Sequence, residues 1–309
     1  MARIGRPRKI KDTGIGYKAG ESTQPFINKD GSNNVDFINL PQGIDQLYSY
    51  MMDAKWKMFF LWIVLGYFAI NVLFASLYMA IGVEQLSGTR EDFLGGFVDA
   101  FYFSAQTITT VGYGAIAPSG VVAGLLSSFE ALIGLLSFSF ITGLLYGRFS
   151  RPKASISFSN QLLFRKFEKG NALMFRFMNN RNSLMIEPEV SATISMTKKV
   201  KGEFERSFYQ MPLERSKIHY LPSMWTLVHK IQEGSAFFEM TKDDILNSKF
   251  EIYVMVKYHD EAYEQQVYQL HYYDQQKLEF ERKFLPSYTY NSQGKMSVNY
   301  EDLSKTEPI

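Results

Sequence analysis

Six consecutive residues, Thr109-Thr110-Val111-Gly112-Tyr113-Gly114, carry the most readable chemistry in this 309-residue chain. What they offer is main-chain oxygen. Glycine at 112 and 114 lets the backbone enter conformations that other residues reach only at a cost. Consecutive carbonyls turned toward one axis can replace the hydration shell of a potassium ion, the working principle of a carbonyl-lined selectivity filter. Thr110 adds a hydroxyl at the inner end. Tyr113 is expected to point away from the axis and wedge against the pore helix. Gly-Tyr-Gly also occurs in ordinary turns. Here the full Thr-Val-Gly-Tyr-Gly string follows a short amphipathic stretch and lies between two membrane-length segments. One chain carries one such string, so a closed ring needs several chains about an axis, and four is the expected number.

Such a string needs elements that hold it at membrane depth. Residues 58–81 form an uncharged run long enough to cross the hydrocarbon layer, with Asn71 its one strongly polar residue, placed to hydrogen-bond a neighbouring helix. Residues 82–96 read as an exposed loop carrying Glu84, Arg90, Glu91 and Asp92. Residues 97–108 read as a helix too short to span, whose C-terminal dipole end favours a cation. Gln106 lies just before the filter and is expected to support it from behind. After 110–114, Pro118, Ser119 and Gly120 turn the chain into a second span at 121–147. Glu130 is the ionisable residue inside that span, costly in lipid and therefore expected against protein, behind the filter. Gly134 and Gly143 are candidate bending or close-packing points.

Before the first span, residues 43–57 place Ile44, Leu47, Tyr48, Met51 and Met52 on one helical face and end in Lys55-Trp56-Lys57. That pattern predicts an interfacial helix. Residues 1–42 read as a basic tail, with a turn at Asp30-Gly31 and a short strand through Val35, Phe37 and Asn39 that could join a sheet edge elsewhere. No apolar run follows its charges, so it is not a secretory signal. Nine Lys and Arg precede the first span, the 82–120 connection carries only Arg90, and the second span ends in Arg148, Arg151 and Lys153. Positive charge therefore places both termini in the cytoplasm of a cell-membrane protein. Lys55, Lys57, Arg148, Arg151 and Lys153 meet at one surface. Either they bind anionic lipid headgroups or they serve only to fix orientation.

From residue 151 to 309 the pattern is mainly β. The runs 154–158, 173–177, 190–196 and 250–256 alternate, with turn signals at Glu168-Lys169-Gly170-Asn171 and Lys201-Gly202 between them. Many short alternating strands predict an antiparallel sandwich. A helical turn is expected near Thr241, ahead of Asp243 and Asp244. The chain has no cysteine, which excludes disulfides, thiolate metal sites and cysteine nucleophiles. Four scattered histidines show no metal spacing, no phosphate loop or catalytic triad appears, and a net charge of +2 implies no nucleic-acid partner. The chain reads as a non-enzyme without cofactor, potassium being the transported ion.

Taken together these strings resemble the inward-rectifier potassium channels, especially the prokaryotic (KirBac-like) type. The resemblance runs from about residue 28 to about 300. It is carried by Lys29-Asp30-Gly31, Phe37-Ile38-Asn39, Asp53 with Trp56, the filter, Gly134 with Arg151-Pro152-Lys153, Phe158-Ser159, Arg176, Asn180-Arg181, Trp225-Thr226-Leu227-Val228-His229, Asp244-Ile245, Phe250-Glu251-Ile252 and Glu261-Ala262. It implies a homotetramer with two membrane helices and a pore helix per subunit, an interfacial slide helix and a C-terminal cytoplasmic immunoglobulin-like β-sandwich. It implies a helix-bundle constriction at Tyr146 and a narrowing of the cytoplasmic path around His259. It implies anionic-lipid contacts at Lys57, Arg148, Arg151, Lys153 and Arg181. Strong rectifiers place an acid where this chain has Phe138, so cavity block by polyamine or magnesium is expected to be weak, while Glu187 matches an acidic cytoplasmic position that could retain some. Ala154 replaces a further basic lipid residue. Two rival readings stay open: a membrane-anchored ligand sensor with a non-conducting pore, and a weakly selective cation channel.

Overall fold

The computed structural model describes residues 9–10, 14, 18–20, 23–39, 43–152 and 154–309. The chain divides into two compact units, residues 39–151 and residues 1–38 with 152–309.

The first unit is helical. Helix α1 is Ile44–Asp53, α2 Trp56–Ile81, α3 Phe93–Ile108 and α4 Val121–Ser150. At 26 and 30 residues, α2 and α4 are roughly 39 and 45 Å long, enough to cross a bilayer with some tilt. Their boundaries differ from the sequence pattern for local reasons. The interfacial helix stops at Asp53 rather than continuing to 57, because Ala54 turns extended (ψ 149°) and Lys55 becomes the N-cap of α2. Trp56 and Lys57 thus belong to the first turn of the span, not to the interfacial helix. Helix α3 begins four residues earlier than the expected 97, because the Asp92 carboxylate accepts from Gly95 N–H and caps it. Arg90 closes over this start, donating to Asp99 one turn further in at 2.8 Å. Helix α4 runs three residues past 147. The core of this unit is Phe74, Ala75 and Tyr78 of α2, Ala100 and Phe103 of α3, Ala123 of α4, and Leu86 from the connection.

The second unit is a two-sheet β fold. One sheet runs in the order Lys18–Ala19, Glu203–Gln210, Met185–Val200, Lys249–Asp260, Gln265–Asp274, every neighbouring pair antiparallel. The other runs Met224–Ile231, Gly170–Asn179, Leu162–Phe167, Leu278–Phe280, the last pair parallel. Alternation places Leu173, Phe175 and Phe177 of one sheet against Ile194, Ile252, Val254 and Val256 of the other in a single buried cluster. Lys201 and Gly202, with φ of 50° and 91°, form the tight turn between two long strands. Thr241 and Asp244 form a reciprocal capping box at the start of the short helix Lys242–Asn247, where the acidic first turn pointed.

Within the single chain, the segment through Val35, Phe37 and Asn39 pairs with no strand of the described residues, and Phe37 and Ile38 are exposed. The pairing comes earlier, where Lys18–Ala19 joins Glu203–Gln210. Residues 24–33 instead lie on the sandwich. Phe26 stacks on Phe208 and under the buried Arg206 guanidinium, and Gly31 (φ 83°) presses so close to Leu270 that a Cβ there would lie 2.4 Å from its carbonyl oxygen.

Two polar side chains, Arg176 buried and His271 half-buried, tie this unit together. The Arg176 guanidinium donates to the carbonyls of Leu285, Asp302 and Leu303 and lies 4.4 Å over the Phe284 ring. His271 stacks on Phe158 at 4.4 Å and meets Tyr273 edge-on. Burial pulls the His271 imidazole down to about 4. An unfolded histidine takes its proton near pH 6.5, so as pH falls from there toward 4 the unfolded chain binds a proton the folded chain does not. Thermal denaturation of the full chain in detergent should show stability intact above pH 6.5 and reduced by on the order of 3 kcal/mol at pH 4. His271→Phe should flatten that dependence; an unchanged pH profile in the variant would refute it.

Candidate functional site

The 110–114 string emerges from the C-terminus of α3. Along it φ is positive at Thr110 (58°), Gly112 (57°) and Gly114 (82°), and Val111 and Tyr113 between them are not among the positive-φ residues. Alternation of this kind flips each successive peptide relative to a helix, so that its carbonyls share one side and its N–H groups the other. A β-branched residue at φ 58° is a strained conformation, costing about 1–3 kcal/mol, which the surrounding structure must impose. The imposition is visible: Val111 N–H donates to the Gln106 carbonyl at 2.9 Å, Gly112 N–H reaches the same oxygen at 3.4 Å, and Thr110 N–H takes Thr107. Three N–H groups are thereby occupied by the end of α3. The contact of Gln106 with the string is made by its main-chain carbonyl. Tyr113 is 78% exposed on the single chain.

Behind α3, Glu130 of α4 is fully buried. Its carboxyl meets Tyr78 Oη of α2 at 2.6 Å and Ser104 Oγ of α3, and Ser104 Oγ also lies 3.0 Å from Asn71 Oδ1 of α2. Three helices are joined at one polar knot, one turn below the string. Asn71 is the helix-bridging residue its sequence position suggested. Tyr78 and Ser104 carried no signal, since each reads as an ordinary member of an apolar face. Gly134 lies where α4 crosses the end of α3: a Cβ there would sit 2.4 Å from the Ile108 carbonyl oxygen. Of the two roles open to Gly134, the geometry supports close packing. Phe138 and Tyr146, one and three turns further on, are 71% and 74% exposed.

The six basic residues do not behave alike. Arg148 is committed within the helical unit. Its guanidinium donates to the carbonyls of Met51, Met52 (3.0 Å) and Ala54 (2.6 Å), and lies 4.6 Å from the centres of both the Trp56 and Phe59 rings. It closes the C-terminal end of α1, where orphan carbonyls and the negative dipole end favour a cation. Arg151 forms an exposed pair with Asp53 at 3.2 Å, while Lys55 and Lys57 are exposed. Lys153 lies outside the described residues. In the β unit Arg181 bonds the buried Asp260 at 2.9 Å and stacks on Tyr263.

In the same unit Glu187, at φ 46°, pairs with Lys217 at 3.0 Å, and that lysine holds the Glu187 carboxyl below the usual range. His259 sits opposite Ile186, beside a bulge that interrupts the pairing of the two strands. Among the described residues no cluster of three or more acids, histidines or cysteines could hold a metal.

The sequence matches two family patterns: the inward rectifier potassium channel C-terminal domain over residues 156–309, and an ion-channel pattern over 57–151. It is 31% identical over 297 residues to the inward rectifier potassium channel Kirbac3.1 of Paramagnetospirillum magnetotacticum, covering 95% of this chain and 98% of that one. It is 28% identical over 265 residues to the G protein-activated inward rectifier potassium channel 4 of Bos taurus, covering 76% of this chain and 61% of the bovine protein. With two membrane-length helices flanking a re-entrant helix and its carbonyl string, and a separate β unit, this chain belongs to the inward rectifier potassium channel family.

Proposed function

We propose that four copies of this chain form a potassium-selective pore in a cell membrane, with both termini in the cytoplasm and 110–114 as the filter. The observation that carries this reading is the alternation of φ along the string together with the capture of the Thr110, Val111 and Gly112 N–H groups by the end of α3, on the side away from the carbonyl oxygens. Potassium moves down its gradient as those oxygens exchange for water, and no bond is made or broken. Gln106 and Glu130 hold the string's outer side. Phe138 and Tyr146 line the inner cavity and its constriction, and the β units continue the path past Glu187 and His259. With Phe138 apolar, magnesium or polyamine gains little in the cavity.

Lipid regulation follows from charge. Lys55, Lys57, Arg151 and Lys153 are the proposed headgroup contacts, each attractive to an anionic surface by about 1 kcal/mol. Arg148 holds helix α1 against the base of α4, so that movement of the interfacial helix reaches the constriction. Arg181, paired to Asp260, contributes less than an open cation would.

The test is flux from proteoliposomes. Potassium uptake should exceed sodium uptake at least tenfold, stop with barium, and change with the fraction of anionic lipid. Sodium uptake equal to potassium uptake would make this a weakly selective cation channel. A folded, assembled protein with no cation flux in any lipid would make it a membrane-anchored sensor.

A further inference from the structure

Glu187 occupies an unusual place in its strand. Lys257 is the pairing partner of Glu189, and His259 that of Ile186, so Glu187 and Pro188 together face a single residue, Tyr258. This bulge breaks the alternation and leaves both Ile186 and Glu187 exposed. Bulges of this kind re-aim a side chain. The left-handed conformation at Glu187 is pinned by its N–H bond to the His219 carbonyl at 2.8 Å. Pinning it brings the segment 216–219 alongside, bonded back at Ser216 to Val190 and at Ile218 to Pro188. That segment delivers Lys217 to Glu187. Through its backbone Lys217 is also the β-bridge partner of Glu189, whose pairing partner on the other side is Lys257. The bulge thus exposes two acids and the neighbouring segments supply two lysines, with His219 and His259 beside them.

We propose that Lys217 sets the sensitivity of this channel to cationic blockers by offsetting Glu187 in the cytoplasmic ion path. This rests on the reading that Glu187 faces that path. An exposed ion pair adds little stability, so its effect lies in the field it leaves. A polyamine more than a few ångströms away meets a pair of opposite charges 3.0 Å apart rather than a carboxylate, and salt screens what remains. Without Lys217, each of four chains would present an uncompensated acid to the same axis, and charges of one sign in a confined path add.

The experiment is single-channel recording of the full-length protein in planar bilayers, with spermine on one side at a time. Lys217→Gln should lower the half-blocking concentration from the cytoplasmic side about tenfold, as the field of several added acids on a polycation would, and Lys217→Arg should restore the wild-type value. Glu187→Gln should raise the half-blocking concentration, and Glu187→Gln with Lys217→Gln, which removes both charges of the pair, should return it close to the wild-type value. If Glu187→Gln shifts block and Lys217→Gln does not, Lys217 has no such role and the proposal fails. If neither changes block, Glu187 is outside the path, and that reading fails with it. Both side chains are largely exposed, so assembly should be unaffected; gel filtration of each variant checks this.

Discussion

Gly112→Asp should abolish potassium flux while leaving the subunit folded. Gly112 holds φ 57°, which a residue with a Cβ adopts at a cost of about 1 kcal/mol, and aspartate is among the residues that tolerate it best. A Cβ built at Gly112 meets no atom of its own chain within 4 Å. Within the single subunit the substitution therefore meets only that backbone cost. The resistance comes from the axis, where four carboxylates would enter a space sized for a dehydrated ion. Flux should fall below a hundredth of wild type, with melting temperature and assembly unchanged. A variant that still conducts potassium selectively would remove 110–114 from the ion path. A variant that fails to assemble would show instead that the string is itself a subunit contact.

Arg148→Gln should cost more stability than loss of Lys55, Lys57 or Arg151, about 3 kcal/mol per chain. Charge-assisted hydrogen bonds to three carbonyls are lost and the contacts with two aromatic faces weaken. Arg148→Lys should recover little, because a point charge cannot span the carbonyls of Met51, Met52 and Ala54 at once. Lys55→Gln and Lys57→Gln should leave the melting temperature alone and shift only the dependence of flux on anionic lipid. Thermal denaturation in detergent, read beside a lipid titration, separates the two behaviours. Were Arg148→Gln to move the lipid titration without touching the melting temperature, Arg148 would be a headgroup ligand after all.

Much of this architecture was legible because it rests on period and string. The two apolar runs are about the right length, the strands alternate, and Thr-Val-Gly-Tyr-Gly is the string from which a carbonyl filter is expected. The element ends were less legible. Asp92 is a visible cap, but Gly95 and Gly96 behind it argue against a helix. They are helical because Arg90 and Asp92 fold back over that turn, leaving a Cβ at Gly96 only 3.2 Å from the Arg90 carbonyl oxygen. Arg148 was legible as a cation near a membrane surface and not as a cap, because the carbonyls it closes lie more than ninety residues earlier. The segment 35–39 shows why alternation alone is a weak guide: it says that a segment could join a sheet, not which sheet edge, in its own chain or a neighbour's, would receive it. Tyr78, Ser104 and Lys217 were invisible for a shared reason: each acquires meaning only when a partner 26 to 52 positions away arrives beside it.

The Arg176 clamp has a bearing on how the chain is made. A guanidinium sealed from water is tolerable only once the oxygens of Leu285, Asp302 and Leu303 are there to receive it. Those oxygens lie 109 to 127 residues after Arg176 in the chain. Until they are made, a buried guanidinium has no acceptors, so closure of the β unit around Arg176 waits on synthesis through Leu303, well after both long apolar helices are complete.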